Sequence, residues 1–277
     1  MAEAFGLGPL PGTDLAQAAD VVLSETELPH IPQLPERGLG YDAVGRTAAL
    51  LDIPVGRGPR GWRVAPRKRA DADLMARDLD RLEELWHGRV DRVKVQLVGP
   101  WTLAAEIEMP NGHRIITDPG ALRDITEALE EAVVAHREDV EKRFGATVLQ
   151  LDEPRLAEVT SGTLTGVTDY ESIPAIREPW ERLARFGEFL LNAPVLIDGS
   201  AWCTATPSAT DDFAALLERG VRVAIPTMEP KALWRVFDEL QIDPNEAAID
   251  VYAGHGATLL ETAANYRAAR EMAEALR

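Results

Sequence analysis

Apolar residues along this chain follow two rhythms. One recurs every three to four residues over long stretches; the other runs almost unbroken for a few residues and stops at a glycine, proline or carboxylate. The first predicts helices over residues 15–23, 41–51, 71–86, 118–144, 173–191 (interrupted near Pro179), 211–219, 231–240 and 259–276. Thr13 or Asp14 can cap the first of these, and Asp118-Pro119-Gly120 opens the longest with a capping carboxylate and a first-turn proline. Leu122, Ile125, Leu129, Ala132, Val133, His136 and Val140 share one stripe of that helix, so His136 reads as a core residue. The second rhythm predicts strands near residues 5, 62, 95, 149, 196, 223 and 250.

Short, continuously apolar strands alternating with amphipathic helices indicate a parallel sheet covered by helices. Seven strands stand one short of a TIM-type (β/α)8 barrel, which is the expected α/β fold, with one strand irregular or missing. The eighth is sought in 155–193 or 200–220. A doubly wound open sheet is the alternative, but no glycine-rich dinucleotide or phosphate loop follows any strand. A chain of 277 residues, 45% hydrophobic, suits a single domain over 1–277.

Between these elements lie three irregular stretches. Residues 28–35 hold three prolines, which forbid helix and favour extended backbone; His30 within them reads as a packing residue. Residues 54–70 carry Arg57, Arg60, Arg63, Arg67, Lys68 and Arg69, either a mobile loop that meets an anionic ligand or a solvated excursion beside the strand near 62. Residues 155–172 lack periodicity and read as a loop over the strand ends.

The formal net charge of −17 argues against sequence-independent nucleic-acid binding, which depends on cationic contacts to phosphate. No apolar run approaches the roughly 20 residues of a membrane span, and no signal-peptide pattern opens the chain, so a cytoplasmic location is expected. The single cysteine, Cys203, excludes an internal disulfide framework and a multi-cysteine metal cluster.

Candidate chemistry gathers at strand ends, where ligands bind in parallel α/β proteins. The run Thr147–Leu151 ends on Asp152, Glu153 and Pro154, and proline cannot continue a central strand. The run from Val93 ends at Gly99-Pro100, where glycine lets a ligand approach the backbone and Trp101 either stacks on a flat ring or plugs the barrel mouth. Asp198 ends the run 194–199, and Gly254-His255-Gly256 follows the last strand.

Three of these motifs carry a resemblance. Gln150-Leu-Asp-Glu-Pro154, Val93-Lys-Val-Gln-Leu-Val-Gly-Pro100 and Gly6-Leu-Gly-Pro-Leu-Pro11 are similar, in order and spacing, to the strands of the catalytic C-terminal barrel of cobalamin-independent methionine synthase. The resemblance implies a homocysteine S-methyltransferase in which zinc, held by His, two Cys and Glu, binds the thiolate. The methyl donor would be a folate or, in short relatives, a corrinoid. It also implies that Asp152 holds the substrate's amino group; Glu153, Trp101, Gly8 and Asp198 are the further candidate substrate-binding residues.

The zinc ligands are not retained. Aligned by strand, Asp198-Gly199-Ser200 stands where His-x-Cys is expected; aligned on the cysteine, Ala201-Trp202-Cys203 does. Ala253-Gly254-His255 stands at the second cysteine, and Pro9 at the serine that binds the substrate carboxylate. Cys203 and His255 are then the candidate catalytic pair, with Asp198 or Glu229 completing a rebuilt metal site, and the cofactor is left open. Two competing readings remain. One is a metal-free barrel that binds a small molecule or partner without methyl transfer. The other is a decarboxylase of uroporphyrinogen type, whose anionic substrate would meet the basic stretch.

Overall fold

The computed structural model describes residues 2–66, 72–168, 171–208, 210–243 and 246–276. Ten strands and ten α-helices occur among them. The strands are β1 (Ala4–Gly6), β2 (Val55–Arg57), β3 (Trp62–Val64), β4 (Arg92–Val98), β5 (Ile107–Glu108), β6 (Ala146–Asp152), β7 (Leu190–Asn192), β8 (Trp202–Thr204), β9 (Arg222–Pro226) and β10 (Ile249–Ala253). The helices are α1 (Leu15–Glu25), α2 (Ala43–Leu50), α3 (Ala72–Trp86), α4 (Pro100–Glu106), α5 (Pro119–Phe144), α6 (Leu156–Ser161), α7 (Trp180–Leu183), α8 (Asp211–Glu218), α9 (Pro230–Leu240) and α10 (Leu259–Ala275).

Seven strands form one curled, wholly parallel sheet in the order β1-β10-β9-β8-β7-β6-β4. Its two edges, β1 and β4, are joined by the proline-rich segment 28–34. Leu28 donates to the Ala4 carbonyl, Lys94 donates to the Pro29 carbonyl at 2.7 Å, Ile31 donates back to the Lys94 carbonyl, and Gln33 donates to that of Gly8. Prolines at 29, 32 and 35 lack donors, so the pairing reduces to isolated bridges, Pro9 with Gln33 and His30 with Lys94. That explains why no apolar run marked this segment as a strand.

The caps follow the sequence reading. Asp14 accepts from Ala16 and Gln17 at the start of α1, and Asp118 accepts from Ala121 at the start of α5. His136 is buried on the inner stripe of α5.

Other expectations need correction. The strand near 62 is real but lies outside the main sheet, in a three-stranded flap of β2, β3 and β5. The predicted helix over 173–191 reduces to α7 and a 3-10 turn, Ala184–Phe186, because Pro174, Pro179 and Gly187 interrupt it; Leu190 and Leu191 go into the sheet as β7. The run 194–199 is not a strand but an irregular, largely solvent-facing turn, since the sheet position is already filled by β7 and Pro194 breaks the ladder. β7 and β8 fall within the stretches 155–193 and 200–220 in which a further strand is sought, and the stretch 155–172 contains α6.

Within the basic stretch, the described arginines are spent on structure. Arg60 pairs with Glu108 at 2.7 Å, Arg63 donates to the carbonyls of Met109 and Pro110, and Arg57 lies over the Trp62 ring. Arg67, Lys68, Arg69 and the start of the helix at Asp71 lie outside the described residues. No described helix is long and apolar enough to cross a membrane.

Candidate functional site

Side chains of a strand alternate between the two faces of the sheet. On β6 that alternation turns Gln150 and Asp152 inward; on β4 it turns Lys94, Gln96 and Val98 inward. The β4–β6 register sets Gln96 beside Gln150 and Val98 beside Asp152, and the β6–β7 register sets Asp152 beside Asn192. Where these strands end, a cleft of about 730 Å³ opens. Leu7, Gln33, Val98, Asp152, Asn192, Thr204, Tyr252 and His255 contribute to its wall. It occupies the carboxyl ends of the strands, where parallel α/β proteins bind ligands.

Among the described residues Asp152 is the one carboxylate that lines it. Its Oδ1 accepts from Gln150 Nε2 and from Asn192 Nδ2, both at 2.7 Å, while Oδ2 has no hydrogen-bond partner among the described residues. Asn192 is itself oriented by Thr204, whose hydroxyl donates to the Asn192 side-chain carbonyl at 3.2 Å. Burial pushes the Asp152 carboxyl up to about 6, with the Asn192 and Gln150 donors and the Lys94 charge pulling the other way. One floor below, Lys94 is fully buried inside the sheet. Its ammonium donates to Gln150 Oε1 and sits over the Phe5 ring at 5.3 Å. Loss of water lowers this amine to about 7 despite the attraction of Asp152. Around it lie His30, fully buried and held neutral by desolvation and the Lys94 charge, and Gln96, whose amide oxygen and nitrogen both lack partners.

The structure separates the remaining candidates. Glu153, adjacent to Asp152, points away from the cleft and is fully buried. Its Oε1 accepts from the Trp101 amide at 2.9 Å, and its Oε2 accepts from the Thr102 amide and hydroxyl at 2.7 and 2.6 Å. It therefore caps the start of α4, where backbone donors and the helix dipole favour an anion. Burial pushes its carboxyl up to about 7, against those donors. Gly99 is glycine because a side chain there would collide with this carboxylate, so the close approach it allows is to Glu153 rather than to a ligand. Trp101 is buried, with its indole donating to the Pro179 carbonyl at 3.0 Å and Arg182 over its ring; it packs beneath α7 instead of facing the cleft. Gly8 is a buried turn residue at φ +125°, a conformation natural to glycine, and its carbonyl holds Gln33 at the cleft wall.

Cys203 and His255 do not meet. On β8, Thr204 faces inward, so Cys203 turns outward into the packing between sheet and helices, where burial raises its thiol to about 11. His255 stands exposed on the cleft rim. Asp198 lies in the exposed turn and pairs with Arg219 at 2.6 Å, and Glu229 is exposed at the start of α9. Because β7 ends at Asn192, the positions that follow the strand after Asp152 are Asn192-Ala193-Pro194, without a thiolate or imidazole. Among the described residues no three His, Cys, Asp or Glu side chains converge as a metal site. The residues present do not fit the closed N/S donor set that zinc takes.

Asn192, Thr204 and Lys94 were missed as site residues in the sequence. Lys94 was legible as an ionisable residue inside an otherwise apolar run; Asn192 and Thr204 gave no local signal.

No curated protein matches the chain. Residues 82–173, about a third of the chain and the part that carries β4, β6 and Asp152, match the family model described as cobalamin-independent synthase, catalytic domain.

Proposed function

We propose that this protein is a methionine-synthase-like (β/α)8 barrel, a single domain with the segment 28–34 as its irregular eighth stave, that binds the ammonium group of a small amino-acid ligand at Asp152. One observation carries the reading. Asp152 is held by two donors on Oδ1, leaving Oδ2 to face a cleft, which is the geometry of a carboxylate waiting for a cationic partner. The resemblance assigns the same task to this aspartate. In this reading the barrel is metal-free in its own donors and acts in the cytoplasm on a small molecule, without nucleic acid or membrane.

Homocysteine S-methylation is the second reading, favoured by the family match over 82–173. It would need a means of activating the thiol other than Cys203 and His255, which lie apart.

Titration calorimetry with L-homocysteine and L-methionine tests the first reading. Binding is expected for wild type and weakened roughly 30-fold in Asp152→Asn; equal binding by both proteins overturns it. Formation of methionine from homocysteine and a methylfolate or methylcorrinoid would bring the second reading forward.

A further inference from the structure

The barrel interior holds one feature that ligand binding at Asp152 leaves unexplained, a fully buried lysine. Among the described residues Lys94 Nζ has one hydrogen-bond acceptor, Gln150 Oε1. The amide of Gln150 is thereby fixed in orientation: its oxygen faces Lys94, and its Nε2 donates to Asp152 Oδ1 and to the Leu7 carbonyl at 2.8 Å. Lys94, Gln150 and Asp152 thus form one hydrogen-bonded line from the sealed interior to the cleft.

We propose, resting on the reading of Asp152 as an ammonium site, that Lys94 is a positioning residue. It sets the charge of Asp152 through Gln150 and gives up its proton when a cation arrives, so that ligand uptake releases a proton. A second positive charge beside a single buried carboxylate is costly where water is excluded. When a ligand ammonium occupies Oδ2, the Lys94 ammonium loses its claim on the same anion. Its N–H bond breaks, the electron pair stays on nitrogen, and the proton passes to solvent.

Few other groups can take part. From the 28–34 segment His30 faces Lys94, but it is neutral and bound at 3.3 Å to the Tyr266 hydroxyl of α10. Glu153 of the β6 end is turned to α4. Tyr252 of β10 and His255 just after that strand face the cleft rim, β7 and β8 present the neutral Asn192 and Thr204, and β1 presents Phe5 to the lysine. The depressed Lys94 and raised Asp152 agree with this line of contact: burial brings both groups toward neutrality, so the pair passes from net positive to net negative as pH rises through the window from about 6 to about 7. Affinity for a cation should therefore climb with pH through that window and level off above it.

The test has two arms on the full chain. Calorimetry with L-methionine across pH about 6 to 8, in phosphate and in Tris, should show wild type releasing a proton share from Lys94 on top of the share Asp152 gives up, and Lys94→Gln releasing only the Asp152 share. Glutamine keeps a donor for Gln150 but has no proton to lose; Lys94→Met serves if glutamine disturbs the packing. Without ligand, the carbon-13 signal of the Asp152 carboxyl should move in two pH steps in wild type and in one step in the variant. His255→Asn should keep both steps. Equal proton release by wild type and variant, or a single Asp152 step unchanged by removing Lys94, overturns the proposal. Two steps without methionine binding would uphold the Lys94 line and overturn the ammonium-site reading instead.

Discussion

The two ends of the parallel sheet treat charge in opposite ways. At the amino end, Glu3 accepts from Arg92 at 2.6 Å and from Arg222 at 2.8 Å, and Asp250 accepts from Arg222 and from the Glu3 amide. Burial would raise the Glu3 carboxyl, but the two arginines hold it below its usual value. At the carboxyl end, Asp152 is held on one oxygen only, by neutral amides, and its nearest cation lies one residue removed behind Gln150. The amino end is a closed ion network that joins β1, β4, β9 and β10. The carboxyl end keeps one unsatisfied anion in a cleft, and an unspent buried charge is what a binding site requires.

The largest effect should come from the closed end. Arg222→Met removes the partner of the buried Asp250 and half the support of Glu3, and should cost about 3 kcal/mol of stability by chemical denaturation, without altering ligand affinity in the protein that remains folded. Next is Asp152→Asn, the reverse case. It should weaken L-methionine binding by about 2 kcal/mol, roughly 30-fold, while stability at neutral pH stays equal or rises.

The sign follows from the titration of the open end. Asp152 binds its proton more tightly in the folded protein than in the unfolded chain, so its contribution is present below about pH 4 and lost as pH rises through about 6. Lys94 binds its proton less tightly when folded, so its contribution is present above about pH 10 and lost as pH falls through about 7. The open end is therefore least stable near pH 6–7, and thermal melts across pH should lose the acid-side slope in Asp152→Asn. Cys203→Ala should cost about 1 kcal/mol, the loss of a small buried side chain, with unchanged L-methionine affinity. A loss of binding there would return Cys203 to the site. Asp198→Ala, at an exposed pair, should change stability by less than about 0.5 kcal/mol and binding not at all.

Much of the fold could be read from the chain. The caps at Asp14 and Asp118, the stripe through His136 and the strands near 5, 95, 149, 223 and 250 all follow from local pattern. The errors cluster between 173 and 204, where short strands alternate with prolines and glycines. Three residues of β7 and three of β8 carry too little periodicity to be told from a turn. The ring position of 28–34 was hidden for a different reason: prolines erase the strand signature while leaving the backbone extended.

At the site, the strand-end carboxylates announced themselves, but their uses did not. Asp152 and Glu153 are consecutive, and a strand turns consecutive side chains to opposite faces, so one enters the cleft and the other caps α4. The same rule on β8 sends Thr204 inward and Cys203 outward. Residue type and spacing determined most of the longer helices, their caps, most strands and the end of the sheet where chemistry would lie, because these depend on contacts a few residues apart. Tertiary structure alone decided the rest. Strand order and register bring Lys94, Gln150, Asp152 and Asn192 together from three strands, and no local pattern records which side chain, a hundred residues away, will face another.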